Sequence, residues 1–378
     1  MNFVKYYLVG YLNTYYTSLL FSYDSSKETY RQYKLRQVLC YLGLSSKSLN
    51  LDYLAGIISV IEVFISVVII TLRFACVTFR WIMVPQKKIE KENLFFSLSL
   101  DAARCKKLLK AIDDEKLSSI QIPFVKGKYH NNEVKVMSGI MFSDIIWAYT
   151  RSFYIVLYMY RKYRKRDYLF RNYSSFEYLL TGRFLNNIYM NNKFVFYSLY
   201  DRWGVMLSNL HADVTLIQHG KLPRNLHLIK LGTPSVVYYI SKEQESILNE
   251  ILFREKPAIS LFRPPLEFTS NELLLKNGKK NVLLVCYNNN IESERMIVSQ
   301  LAHKCNLYVK PHPFYKDISD YEQMAKLYEC IILPKTAYPK VDMVLSYDST
   351  LADEYINVGV DVIRYDLLED LKDLSRIV

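Results

Sequence analysis

A histidine held between two prolines is the first pattern in the sequence that could do chemistry. It is His312, in the run Lys310-Pro311-His312-Pro313, and it directly follows an apolar run typical of a buried strand. In an open parallel sheet, ligands bind beyond the carboxyl ends of the strands. An imidazole there can donate a hydrogen bond, and when protonated a positive charge, to a phosphate. The pattern therefore predicts that Lys310 and His312 bind an anionic phosphate; the alternative is a structural histidine in a proline turn.

Two hydroxyl residues, Ser349 and Thr350, form the second group, in the run 346–350 (SYDST) between a strand pattern and a helix pattern. Hydroxyls and unpaired backbone N–H groups at a helix N-terminus make an anion site, because the helix dipole faces the same way. Glu354 follows one turn into the helix, where its carboxylate could accept hydrogen bonds from a ribose diol. We expect these residues to hold a nucleotide, and the alternative for Ser349 is a purely structural N-cap.

The third group is Gln218-His219-Gly220, at the end of a strand pattern in the N-terminal half. Glycine permits a tight turn that would project the preceding side chain. A neutral imidazole is a suitable general base for an acceptor hydroxyl, so His219 is the candidate catalytic residue, with Gln218 and Gly220 as its supports. One alternative is a loop histidine without a catalytic role. Asp101, at the end of the first strand pattern, is the reserve candidate for the base, or else a helix N-cap.

Neither metal ligands nor a resident cofactor are expected. The acidic run 113–115 (DDE) has the character of a solvated helix end rather than of a DxD metal motif. The six cysteines are scattered, without a CxxC pair or metal-ligand spacing. This distribution argues against structural zinc and favours a reducing compartment.

Short apolar strand patterns alternate with helix patterns from Asn93 onward, which predicts an α/β protein with parallel βαβ units. In the N-terminal half, the predicted strands cover 94–100, 120–125, 194–199, 214–218 and 236–240, and the predicted helices 101–112, 143–163, 203–210 and 242–253. In the C-terminal half, the strands cover 282–287, 306–310, 330–333, 342–346 and 360–365, and the helices 292–304, 321–328 and 350–358. A Pro-Pro pair and a polar run predict a linker over 266–280, between domains over 93–265 and 281–378.

The first 92 residues differ from the rest and are predicted to form a hydrophobic N-terminal extension. Its apolar segment, 54–84, begins with nineteen residues that carry a single charge, Glu62. Nineteen apolar residues just suffice to cross a bilayer core of about 30 Å at about 1.5 Å per residue. The segment could span a membrane, lie in its plane or be a buried helix of the fold. No cleavable signal peptide is recognised, because the first 20 residues lack a clean apolar core and a cleavage site.

An excess of positive charge favours anionic partners. The chain has 49 lysines and arginines against 37 acidic residues, a formal net charge of +12. No nucleic-acid-binding motif is recognised, so nucleic acid is the weakest candidate beside anionic lipid and phosphorylated small molecules. The densest basic run, 161–166 (RKYRKR), follows the apolar, tyrosine-rich stretch 145–160. Such a segment either contacts anionic lipid or forms a solvated helix face.

The order of the three groups, QHG, then KPHP, then S-x-x-S-T-x-x-x-E, resembles that of proteins with the GT-B fold. In that fold two Rossmann-like domains face each other across a cleft. More narrowly, the motifs are similar to those of bacterial surface-polysaccharide enzymes: capsule Kdo transferases, polysialyltransferases and teichoic-acid glycerophosphotransferases. The resemblance implies that His312, Ser349 and Thr350 bind the phosphate of a nucleotide-linked donor. It also implies that Glu354 contacts the ribose and that His219 is the base.

The resemblance covers roughly residues 214–363, and the function it implies is an inverting, metal-independent glycosyltransferase. The expected donor is a nucleotide-activated sugar, with CMP- and CDP-linked sugars as candidates. The expected acceptor is lipid-linked or a polysaccharide of the capsule or lipopolysaccharide, at the cytoplasmic face of the inner membrane, where the chain is peripheral or anchored by a single span. Three alternatives remain: a polyol-phosphate transferase of the glycerophosphotransferase type, a nucleotide-sugar epimerase, and a non-catalytic membrane-associated scaffold.

Overall fold

The computed structural model describes residues 2–21, 51–84, 93–96, 117–121, 123–124, 133–163, 172–188, 192–199, 202–210, 213–222, 224, 226, 228–230, 232–263, 266–287, 290–312, 318–347 and 349–368. The chain divides into two compact units, Met1–Leu261 and Phe262–Val378. Each unit is built around one sheet.

The first unit has a sheet with helices before and between its strands. The described helices are α1 (Phe3–Phe21), α2 (Leu51–Met83), α3 (Phe142–Tyr163), α4 (Ser175–Ile188), α5 (Arg202–Leu207) and α6 (Lys242–Ile251). The strands are β1 (Asn93–Phe96), β2 (Leu117–Gln121), β3 (Glu133–Lys135), β4 (Lys193–Phe196), β5 (Asp213–Ile217), β6 (Val236–Tyr239) and β7 (Ile259–Phe262). Their order in the sheet is β3-β2-β1-β4-β5-β6-β7, and the pairings from β3 to β6 are parallel. The chain thus adds strands first on one side of β1 and then on the other, as in doubly wound folds.

The N-terminal segment that was predicted as an extension contributes to the core of the first unit. Phe3 and Tyr7 of α1, and Ile70 and Val77 of α2, belong to the same buried cluster as Phe194 and Phe196 of β4. Within the described part of the chain, one stretch of 23 residues, Ile61–Met83 of α2, is long and apolar enough to cross a membrane by length and composition, with a mean hydropathy of 2.1 over an 18-residue window. One side of α2 packs against α3.

The second unit is a smaller sheet with a core on each face. Its strands are β8 (Asn281–Val285), β9 (Asn306–Lys310), β10 (Ile331–Ile332), β11 (Met343–Ser346) and β12 (Asp361–Arg364), and its described helices are α7 (Ile291–Leu301), α8 (Ser319–Tyr328) and α9 (Thr350–Asn357). The order is β10-β9-β8-β11-β12 and every pairing is parallel. Along β8, Val282 and Leu284 enter one core and Leu283 and Val285 the other, since successive side chains of a strand point to opposite faces.

The segment predicted as a linker packs onto the second unit. The backbone N–H of Thr269 donates to the carbonyl of Tyr338 at 2.7 Å, and Asn277 exchanges hydrogen bonds with Asn306 at 2.8 and 2.9 Å. Residues 266–280 therefore belong to the second unit and pack against it.

The predicted α/β class with parallel sheets is confirmed. β9 has the predicted bounds, and the other predicted elements that the structure describes differ from their predictions by a few residues at the ends. Four described elements, α1, α4, β3 and β7, were not predicted. Residues 97–116, which include Asp101 and the predicted helix 101–112, lie outside the described residues.

Candidate nucleotide and acceptor sites

Two of the three residue groups lie at one edge of the second sheet. β9 and β11 both pair in parallel with β8, so His312 and Ser349 follow the carboxyl ends of the two strands that flank β8. The direction in which strands are added reverses at β8, and the crevice at such a switch point is where open α/β sheets bind ligands. His312 is half-buried and follows the buried Pro311.

The start of α9 is built around two serine hydroxyls. Ser346 is fully buried and its Oγ donates to the Oγ of Ser349 at 3.0 Å. The same Ser349 oxygen accepts the backbone N–H of Ala352 at 3.1 Å, which makes Ser349 the N-cap of α9, with Thr350 as the first helical residue. Both bonds use the oxygen of Ser349 as acceptor. Its hydroxyl proton can therefore be donated to an anion, beside the first-turn N–H groups that a helix leaves unpaired.

The ammonium group of Lys310 is buried against the loop that follows β10. Its Nζ donates to the carbonyls of Pro334, Lys335 and Ala337 at 3.1, 3.1 and 2.7 Å, and lies 4.3 Å from the ring centroid of Tyr338. Three carbonyls match the three hydrogens of an ammonium group. The ammonium group of Lys310 therefore holds this loop, whereas the sequence predicted a phosphate contact for it.

Glu354 is part of a buried ion pair. Its Oε1 lies 3.0 Å from Nη2 of Arg263, and the two side chains are 11 % and 6 % exposed. Arg263 directly follows β7, so the pair fastens the first residues of the second unit to α9. This partner was not foreseen from the sequence. The ribose contact expected for Glu354 stays a prediction.

Three tyrosines that sequence reasoning missed lie at the same sheet edge. Tyr287 follows β8 and Tyr347 follows β11, and their rings stack with centroids 5.3 Å apart and planes 13° apart. Tyr365, after β12, packs edge-on against Tyr347 at 5.9 Å. Aromatic side chains beside convergent polar groups are typical of small-molecule sites. The available signal was an aromatic residue at or directly after the end of three strand patterns.

A buried carboxylate, Glu294 of α7, accepts hydrogen bonds from residues at this edge of the sheet. It accepts the backbone N–H of Tyr287, the hydroxyl of Tyr321 at 2.8 Å and the hydroxyl of Tyr365 at 3.2 Å. Burial raises the pKa of Glu294 above the ordinary carboxyl value, and the three donors offset this only in part. Glu294 thus positions the backbone of Tyr287.

Because the folded chain favours protonated Glu294, the stability that this preference contributes is present at low pH and is lost as pH rises through the raised pKa. The side chain of Glu294→Gln stays neutral at every pH. We therefore expect the free energy of unfolding of this variant to increase relative to that of the wild type as pH rises through the raised pKa of Glu294. Each tenfold difference in proton affinity corresponds to about 1.4 kcal/mol. The measurement is chemical unfolding of both chains between pH 4 and about pH 8. Glu292→Gln, an exposed change on the same helix, is the control, and parallel pH profiles for Glu294→Gln and wild type would contradict the prediction.

In the first unit, a network of two glutamines holds the turn after β5. The side chain of Gln218 is fully buried and donates to the carbonyl of Gly220 at 2.9 Å and to Oε1 of Gln244 at 2.7 Å. Its own Oε1 accepts the N–H of Ile240 at 3.0 Å. Gln244 in turn exchanges hydrogen bonds with the backbone of Leu222 at 3.0 and 3.1 Å. The backbone on both sides of position 219 is therefore fixed.

His219 itself is exposed at the carboxyl end of β5. Its ring meets that of Tyr197, which follows the neighbouring strand β4, edge-on at 5.0 Å. Gly220 lies outside the left-handed region, and a Cβ there would meet nothing within 4 Å. The predicted support from Gly220 is therefore not a steric one, and Gln218 is the residue that fixes the turn.

These features define an α/β protein with two doubly wound sheets, each carrying candidate ligand residues at the carboxyl ends of its strands. No known protein family matches this chain, and no curated protein matches it either. In the part of the chain that the structure describes, no group of three or more His, Cys, Asp or Glu side chains could hold a metal ion.

Proposed function

We propose that the chain is a glycosyltransferase of the GT-B type, which moves a sugar from a nucleotide-activated donor to an acceptor hydroxyl. One observation carries the proposal: His312 and the capped N-terminus of α9 follow the two strands that flank β8. Two motifs separated in sequence thus lie at the switch point of one parallel sheet, where such sheets bind ligands. The strand orders β3-β2-β1-β4-β5 and β10-β9-β8-β11-β12 share one winding pattern, which supports a pair of Rossmann-like domains.

The donor phosphate would bind at this edge. The imidazole of His312, the hydroxyls of Ser349 and Thr350 and the first-turn N–H groups of α9 are all hydrogen-bond donors. As the bond between the anomeric carbon and the phosphate oxygen breaks, its electron pair stays on that oxygen. Donors aimed at this oxygen stabilise the developing charge, which is how fixed dipoles accelerate such reactions. The base of the nucleotide would lie against the tyrosines of the same edge.

The acceptor would be activated by His219. Its neutral imidazole takes the proton of the acceptor hydroxyl, and the hydroxyl oxygen forms the new bond to the anomeric carbon. Attack opposite the departing phosphate inverts the configuration. The fixed backbone around position 219 supports this role, since a base must be held within hydrogen-bond reach of its proton.

A thermal-shift screen against CMP, CDP, UDP, GDP and their sugar conjugates tests the proposal. A nucleotide at 100 times its Kd should stabilise the folded chain by about 2.7 kcal/mol, which is visible as a raised Tm. His312→Ala should reduce this rise, whereas the exposed His303→Ala in the same unit should not. Stabilisation by CMP or CDP would favour Kdo, sialyl or polyol-phosphate donors, and by UDP or GDP a hexosyl donor. If no nucleotide raises the Tm, the scaffold alternative replaces the proposal.

A further inference from the structure

One surface of the first unit is apolar and exposed across two helices. On α2 its members are Ile61, Phe64, Ile65, Val68, Leu72, Phe79, Ile82 and Met83, and at α3 they are Met141, Phe142, Ile146, Tyr154 and Leu157. Phe64, Phe79 and Ile82 are 70, 66 and 68 % exposed. We call these residues the apolar face. An exposed apolar surface of this extent marks a contact with a membrane or a partner.

The two helices that carry the apolar face lie side by side. Phe74 of α2 stacks on Tyr149 of α3 with centroids 4.2 Å apart. Further along α2, the indole N–H of Trp81 donates to the carbonyl of Ile140, just before α3, at 3.0 Å. Ile70 is fully buried on the same side of α2. The unit therefore covers one side of α2 over three turns and leaves the opposite side exposed.

A partly buried charge network ties the middle of α2 to the unit. Arg73 Nη1 lies 3.1 Å from Oε2 of Glu177 on α4 and donates to the carbonyl of Tyr173 at 3.4 Å. The other oxygen of Glu177 lies 3.1 Å from Nη2 of Arg202 on α5. A helix held in this way could cross a bilayer only by drawing charged groups and the polar edges of a sheet into hydrocarbon. The packing favours a helix that lies in the plane of the membrane.

The charges around the apolar face select the kind of partner. Over residues 61–84 and 142–161, where side chains are described, the exposed charged residues are Arg80, Arg151 and Arg161. The acidic residues of these stretches are the buried Asp144 and the half-buried Glu62. Apolar area bordered by arginines fits anionic lipid, whereas a second copy would bring arginines against arginines.

A groove beside the apolar face offers room for a lipid headgroup. It has a volume of about 730 Å³ and lies between the start of α1 and α3. Lys5 and Arg151 line it together with Trp147, Tyr154 and Tyr158. Amphipathic aromatic rings and cationic side chains are the residues that proteins place at the headgroup level.

We propose that the first unit docks in the plane of an anionic lipid surface, with the apolar face of α2 and α3 in the interface and Lys5, Arg80, Arg151 and Arg161 at the lipid phosphates. This arrangement selects the in-plane option among the three that the sequence left open for residues 54–84. It stands apart from the proposed transfer reaction and is tested without a donor.

Flotation of the full-length chain with vesicles tests the docking. The wild type should float with phosphatidylcholine vesicles that contain phosphatidylserine, and less with pure phosphatidylcholine. The triple variant Phe64→Gln, Leu72→Gln, Phe79→Gln changes side chains that are exposed, so the fold should persist. Its partition onto anionic vesicles should fall about 100-fold or more.

A matched control removes the same kind of side chain elsewhere. Leu327→Gln, Ile356→Gln and Leu367→Gln together replace three exposed apolar residues of the second unit, and this variant should float like the wild type. Failure of the wild type to float, or flotation of the α2 triple variant, would overturn the proposal. A third outcome would assign the apolar face to a second copy of the chain. In that case the wild type would not bind vesicles but would sediment as a dimer without lipid, and the α2 triple variant would sediment as a monomer.

Depth measurements separate in-plane docking from a span. A fluorophore is attached at Phe64→Cys or at Met83→Cys, and its quenching by nitroxides at known depths in the bilayer is measured. The background chain has serine in place of Cys40, Cys76 and Cys105 and must still float with the vesicles. A spanning helix would separate these positions by about 28 Å along the bilayer normal. In-plane docking predicts two shallow labels, both within about 10 Å of the headgroup boundary. One shallow and one far-leaflet label would overturn it.

Discussion

Replacing His219 with alanine is expected to lower turnover by about 100-fold to 10,000-fold, the contribution of a positioned general base. His219 is exposed at the carboxyl end of β5, and the Gln218 network fixes its backbone. The substitution removes a surface imidazole and leaves that network in place, so stability should hardly change. Nucleotide affinity should be retained, because the proposed donor site lies in the second unit.

The measurement is kcat with the donor that the nucleotide screen identifies, alongside a nucleotide titration of the same variant. His303→Ala, which removes another exposed imidazole, should keep wild-type kcat. Added imidazole should restore part of the turnover of His219→Ala, as expected when a missing base is supplied from solution. A normal kcat would remove His219 as the base and make Asp101 the next residue to replace.

Lys310→Met is expected to destabilise the second unit by about 2–4 kcal/mol, since three carbonyls lose their partner in a buried site. The methionine keeps the length of the side chain and its apolar stem but removes the ammonium group. The loop that follows β10, held by these bonds, should loosen first. Hydrogen exchange of peptides from residues 306–345 measures this locally.

The outcome also decides between the two roles considered for Lys310. A structural role predicts faster exchange, with nucleotide affinity of the folded chain close to that of the wild type. Lys326→Met, an exposed change on α8, is the control and should leave exchange unchanged. Lost nucleotide affinity with normal exchange would instead return Lys310 to the phosphate site.

Local sequence patterns were sufficient for most of the second unit. β8 and β9 are short apolar runs buried in the sheet and followed by polar turns or prolines, so strand and length could be inferred together. α9 begins at a serine followed by good helix formers, and Ser349 does cap it. The predicted positions of His312 and Ser349 after strand ends follow from these elements.

The helices of the first unit were harder to predict. Eleven of the fourteen residues of α4 are buried, including Glu177 and Thr181, so the helix lacks the polar stripe by which an amphipathic helix is recognised. Glu177 is buried because Arg73 and Arg202 reach it from α2 and α5. Neither arginine is near Glu177 in sequence, and the local hydrophobic periodicity of α4 does not indicate such distant partners.

The same limit applies to the candidate sites. Lys310 ends β9 and Glu354 lies in α9, as the sequence predicted, but their partners lie in loops distant in sequence. A motif shows which groups could bind an anion. It does not show which of those groups the fold has already engaged.

The most direct test of the nucleotide site is a titration of Ser349→Asp and Ser349→Thr with the nucleotide that best stabilises the wild type. Both replacements can cap α9, so both should fold. Threonine keeps a hydroxyl donor, whereas aspartate places a negative charge where the phosphate is proposed to lie. We expect near wild-type affinity for Ser349→Thr and at least about a tenfold loss, or about 1.4 kcal/mol, for Ser349→Asp. Equal affinity of the two variants would contradict a phosphate at the N-terminus of α9.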